Sequence, residues 1–225
     1  MEKATATACD HHVGRRGVIA GAVLAGGESR RFGRNKALET LKGVRLIDRA
    51  VTHLAALCDP VMIVANDLSP YVDLNALLVR DVVPRFGPLG GIYTALYFSP
   101  HPWVFVRATD MPFLEPPLAQ ALISLTQNPR QDVIVLKKDQ AFEPLMALYH
   151  VRCLPHIRRC MEGDQRQVIS FYRRVHVHAV EESQWRAYDP EGVSLWNVNT
   201  PEDWHRIVQW CDQAGRPASP HPEDV

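Results

Sequence analysis

The sequence has no surplus of charge of either sign, no C-x-x-C pair and no long apolar run. Its 225 residues include 25 Lys+Arg and 25 Asp+Glu. That balance excludes a general nucleic-acid coat, which needs a basic excess to displace counterions from phosphates. Any bound anion must be held by a local cluster. The five cysteines, Cys9, Cys58, Cys153, Cys160 and Cys211, are an odd number without paired spacing. They signal neither a disulfide framework nor a zinc or iron–sulfur site, and a reducing cytoplasm suits them best. No stretch approaches the roughly 18 apolar residues of a membrane span, so a soluble chain without membrane contact is expected. Internal repeats and low-complexity linkers are missing too, which favours one domain.

What is present is enough apolar sequence, 46%, to build a sizeable core at this length. Residues 1–16 lack a hydrophobic period and read as a flexible tail. Residues 213–225, rich in proline and polar groups, read as disordered. The expected domain is 17–212. Short β-type runs alternate there with helix-period stretches. Strands are expected at Val18–Leu24, Val61–Ala65, Leu77–Val79, Trp103–Arg107, Asp132–Leu136, Leu145–Tyr149 and Val175–Val180. Helices are expected at Arg45–Leu57, Ile92–Phe98 and Pro201–Trp210, the last capped by Thr200 and docked by Trp204, Ile207, Val208 and Trp210. This alternation predicts an α/β fold with a mainly parallel sheet covered on both faces, whose ligands bind at the carboxyl ends of the strands.

Four segments suit that edge. The first strand runs into L-A-G-G-E-S-R-R-F-G-R-N-K, residues 24–36. Gly26 and Gly27 let backbone donors approach an anion, and Arg30, Arg31, Arg34 and Lys36 add charge. A glycine turn with solvated arginines is the plainer reading. A third, the wake of an export signal after Arg15-Arg16, is opposed by Gly21 and by the charges that follow at once. The second segment, Gly87-Pro88-Leu89-Gly90-Gly91, offers donors at a helix entry. In the third, W-V-F-V-R-A-T-D, a strand delivers Asp110, as a helix cap or as a holder of Mg2+ beside substrate phosphates, with Asp81 a candidate second carboxylate. In the fourth, W-N-V-N-T-P-E-D, Asn197 and Asn199 point to one side of an extended segment, towards a substrate or towards the backbone.

In this order, L-A-G-G-x-S-R-R-F-G-R-x-K, G-P-L-G-G-I, T-D-M-P-F-L, E-P-L-M-A-L-Y and N-V-N-T-P-E-D closely resemble the molybdenum cofactor guanylyltransferase (MobA) family, from about Val18 to about Trp210. The resemblance implies a single-domain, Rossmann-like three-layer sandwich that transfers GMP from GTP to molybdopterin and releases pyrophosphate. It implies that Leu24, Ala25, Gly26 and Gly27 contact the nucleotide, that Lys36 holds its phosphates and Asp81 its nucleoside, and that Gly87, Pro88 and Leu89 line the guanine pocket. Asp110 would ligate Mg2+, Arg31 would share the negative charge, and Asn197 and Asn199 would lie on the molybdopterin side. Apo-molybdoenzymes or their chaperones would receive the product. A CTP-dependent or sugar-phosphate relative and a non-catalytic nucleotide-binding partner are the alternatives. The sequence departs from the family pattern at Asn35, where aspartate usually stands. It departs again at Val64, where relatives can offer the nucleotide an asparagine that here falls at Asn66, and at Thr109 and Glu143.

Overall fold

The computed structural model describes residues 19–26 and 35–214. In chain order the elements are β1 (Ala20–Leu24), β2 (Thr40–Leu41), β3 (Val44–Arg45), α1 (Leu46–Ala55), β4 (Val61–Ala65), β5 (Leu77–Arg80) and α2 (Pro88–Phe98). Then come β6 (Trp103–Ala108), α3 (Pro116–Ser124), β7 (Val133–Lys138), β8 (Ala141–His150), α4 (Leu154–Glu162), β9 (Val177–Val180), α5 (Glu182–Trp185) and α6 (Pro201–Ala214).

All seven expected strands enter one sheet, in the order β5-β4-β1-β6-β8-β7-β9. The strands β1, β4 and β6 are buried along their whole length, which only a sheet covered on both faces allows. Side chains alternate across it. From β1 and the residue before it, Val23 and Ile19 join a layer with α1 and α3, whereas Ala20, Ala22 and Leu24 join the opposite layer with α2 and α4. Three layers result. Only β8 runs antiparallel to its neighbours in the sheet, between β6 and β7. Gly21 allows α1 to lie close, since a Cβ there would sit 3.1 Å from the Leu54 Cβ.

A third apolar cluster joins Leu41, Leu46, Val198, Ile207 and Cys211, with Trp196, Trp204, Val208 and Trp210 packed against it. It docks α6 against the small β2–β3 hairpin and brings the segment before α6 to the carboxyl ends of the strands. The helix reaches Ala214, past the expected end at Trp210, so residues 213 and 214 are helical. The rest of the two expected tails lies outside the described residues, as do Gly27, Arg30, Arg31 and Arg34. Cys58, Cys153, Cys160 and Cys211 are buried free thiols. Among the described residues no helix is long and apolar enough to cross a membrane.

Candidate active site

The chain leaves β1 for β4 and β5 on one side and returns to β6 on the other, so β1 and β6 are neighbours with connections running opposite ways. Such a point opens a crevice at the carboxyl ends of the strands. Lys36 and Asp110 meet there. The Lys36 Nζ lies 3.9 Å from the Asp110 Oδ2, and both side chains are mostly buried. The ammonium also donates to the Val198 carbonyl and, at 3.3 Å, to the Asn199 Oδ1. Val198 N–H in turn donates to the Asp110 carbonyl at 2.8 Å. Residues from the start, middle and end of the chain are thereby tied into one knot.

Burial pushes the Asp110 carboxyl above the ordinary carboxylate range, while the Lys36 and Arg107 charges pull it back. A carboxylate so placed favours a further cation. Among the described residues no three His, Cys, Asp or Glu side chains gather as a metal cage. One hard oxygen donor at a strand end suits an ion whose remaining ligands are substrate phosphates and water, the usual habit of Mg2+. Asp110 therefore fits the implied metal.

On the β4–β5 side, Gly26, Asn66 and Asp81 come together. A Cβ on Gly26 would stand 3.4 Å from the Asp81 Oδ2 and 3.6 Å from the Asn66 Nδ2. Burial raises the Asp81 carboxyl, opposed by the Thr94 hydroxyl, which donates to it at 3.4 Å. Asn66 accepts from the Arg85 N–H. Val64 is a core residue of β4, so Asn66 is the asparagine that reaches this edge.

The glycine segment 87–91 is not the loop the sequence suggested. Helix α2 begins at Pro88 behind Gly87, whose φ of 81° suits glycine. Gly90 and Gly91 are buried inside it because a Cβ would meet the Phe86 Cβ at 3.0 Å and Leu24 at 3.1 Å. The Leu89 and Leu24 side chains lie in the core. They can offer a ligand only their backbone. At the other end of the crevice, Asn197 and Asn199 line one cavity of about 300 Å³ with Lys138, Leu195, Trp196, Asp203 and Arg206. Asn197 Nδ2 is 3.5 Å from the Leu195 carbonyl. Asn199 also accepts from Lys36.

The sequence reading missed Arg107, His53 and Tyr71. Arg107 is fully buried in β6 and donates to the Met111 and Phe113 carbonyls, holding the chain just past Asp110. Burial pushes its guanidinium down to about 9. The His53 Nδ1 lies 3.2 Å from its Nη1. Burial and the two neighbouring arginines, Arg107 and Arg49, push His53 down to about 3, so it is the neutral acceptor of that bond. Tyr71, almost fully buried, hydrogen-bonds Asn35 and Ala25. No periodicity marks these residues, since each acts on backbone or on another side chain.

A family model described as a MobA-like NTP transferase domain matches residues 21–180. A molybdenum cofactor guanylyltransferase of Desulfosudis oleivorans is 38% identical over 199 residues, covering 88% of this chain and 98% of the relative. A probable molybdenum cofactor guanylyltransferase of Chloroflexus aggregans is 35% identical, covering 85% and 94%. Among solved structures, molybdopterin-guanine dinucleotide biosynthesis protein A from Archaeoglobus fulgidus superposes with a TM-score of 0.76 at 27% identity, over 87% of this chain and 100% of that one. A 4-diphosphocytidyl-2C-methyl-D-erythritol synthase from Anaerococcus prevotii shares the fold at 12% identity, with a TM-score of 0.60, over 88% of this chain and 99% of that one.

Proposed function

Because the chain belongs to the MobA-like NTP transferase family and is a nucleotidyltransferase, we propose that it transfers GMP from GTP to the terminal phosphate of molybdopterin, releasing pyrophosphate. The observation that carries this reading is the placement of Lys36 beside Asp110, between the Gly26–Asn66–Asp81 group and the Asn197–Asn199 cavity. A triphosphate laid across the Lys36–Asp110 pair has a nucleoside position on one side and an acceptor position on the other.

In the proposed reaction an oxygen of the molybdopterin phosphate attacks the α-phosphorus of GTP. The bond from that phosphorus to the bridging oxygen breaks, and the electron pair leaves with pyrophosphate. The nucleophile is already an anion, so no general base is needed. Lys36 sits where charge builds on the phosphate oxygens, and its bonds to Val198 and Asn199 fix it there before substrate arrives. Asp81 and Asn66 are suited to the nucleoside. Asn197, Arg206 and Lys138 are suited to the acceptor, and the cavity they line gives it room. Arg31 is assigned its charge-sharing role by family resemblance. Asp110 would hold Mg2+, which when bound supplies Lewis-acid neutralisation of the triphosphate.

Incubation with GTP, Mg2+ and molybdenum-loaded molybdopterin, followed by identification of the product by mass spectrometry, tests the assignment. The guanine dinucleotide is expected, with CTP and UTP giving little product. A cytosine dinucleotide would replace the guanylyl assignment. Magnesium-dependent GTP binding with no product would leave a binding partner instead of an enzyme for this substrate pair.

A further inference from the structure

The Asn35 side chain caps the short 3-10 helix Lys36–Leu38: its Oδ1 accepts the Ala37 N–H at 3.1 Å. Its Nδ2 must then face the other way, and it donates to the Tyr71 hydroxyl at 2.9 Å. That hydroxyl, already an acceptor, has its single proton left for the Ala25 carbonyl, 3.3 Å away. Ala25 N–H is meanwhile bound to the Val64 carbonyl at 2.9 Å. The Ala25 carbonyl and the Gly26 N–H belong to one planar trans peptide and point in opposite directions. A carbonyl fixed towards Tyr71 fixes the Gly26 N–H away from it. Among the described residues that N–H has no acceptor. A donor bound to the carbonyl also polarises the amide and strengthens the hydrogen its nitrogen donates.

We propose that Asn35 and Tyr71 are positioning residues, a one-way hydrogen-bond relay that aims and polarises the Gly26 amide towards the bound nucleotide. The proposal rests on the reading of the β1 end as the nucleotide site. It also gives the departure at Asn35 a consequence. Aspartate there would keep the Ala37 bond and the contact with Tyr71, but as an acceptor only. The tyrosine proton would turn to the carboxylate and the Ala25 carbonyl would lose its donor.

Tyr71→Phe, Asn35→Asp and the double variant separate this from a merely structural role. In each, KM and kcat for GTP, KM for molybdopterin, the dissociation constant for Mg-GTP and the urea midpoint are measured. The relay predicts about a fivefold rise in the KM and dissociation constant for GTP in either single variant, the size of one lost hydrogen bond. KM for molybdopterin should not move, and the double variant should be no worse than the singles. Asn35→Asp keeps the tyrosine ring and the helix entry, so it decides the matter even if Tyr71→Phe folds poorly. Unchanged GTP constants in folded Asn35→Asp would overturn the proposal, as would fully additive losses. If the wild type used CTP in place of GTP, the proposed function would fall, and the same comparison with CTP would still decide the relay.

Discussion

Asp110 is pulled in two directions: burial favours its neutral form, while Lys36 and Arg107 favour the charged one. A site that keeps a carboxylate under this tension is poised for a cation and intolerant of its loss. Asp110→Ala and Lys36→Ala are each expected to lower turnover by roughly two to three orders of magnitude, as for other single electrostatic deletions. Steady-state assays on folded variants check this, and near-normal turnover would remove these residues from the mechanism. Behind them, His53 makes a stability prediction. It is held neutral down to about 3 in the folded chain, against about 6.5 when unfolded. The unfolded chain therefore binds the extra proton between these values, and stability is complete above 6.5 and lost as pH falls through the window. The slope is at most about 1.4 kcal/mol per pH unit. Urea denaturation at pH 7, 6 and 5 should show this fall, flattened in His53→Gln. An equally steep fall in the variant would acquit the histidine. Arg107 and His53 were harder to see in the sequence than Lys36 and Asp110, because a buried arginine or histidine looks like any surface charge until its neighbours are known.

At the scale of the element, legibility followed burial. Strands β1, β4 and β6 were readable because both faces are covered and the runs are continuously apolar. The β2–β3 hairpin was not, since each of its strands has two residues. The turn between β7 and β8 also hid, because Asp139 and Gln140 adopt φ of 47° and 64° without the glycine that usually announces such a turn. Helix α2 was started four residues late because paired glycines suggested a loop, when their role is close packing on Phe86 and Leu24. The cap of α6 was read correctly. Thr200 accepts the Asp203 N–H, and the Asp203 Oδ2 accepts from Asn199 and Thr200, a reciprocal box that sets the backbone next to Lys36. Thr200→Ala should cost about 1 kcal/mol in urea denaturation, with Thr200→Ser close to the wild type. A loss in the serine variant equal to that in alanine would show that the hydroxyl is not the cause.

For the whole molecule, the motif order pointed to the right family, whereas the way distant segments lock together did not show in any one motif. If GTP binds the folded state alone, it must stabilise that state by mass action. At a hundredfold excess over the dissociation constant the gain is about 2.7 kcal/mol. For a domain of this size that raises the melting midpoint by roughly 5 to 10 °C. Differential scanning fluorimetry with Mg-GTP, Mg-CTP and no nucleotide should show the shift for GTP, and an equal shift with CTP would argue against guanine selectivity.

The bond from Lys36 to Val198 spans 162 residues. During synthesis at about 5 to 20 residues per second, Lys36 is made roughly 8 to 30 s before the carbonyl that holds it. A nascent or truncated chain can thus pair β1 with β4 and still lack the Lys36–Val198 bond of the proposed phosphate site. Translation itself delays competence, and a ribosome stalled before α6 should display a domain that is largely assembled and catalytically silent.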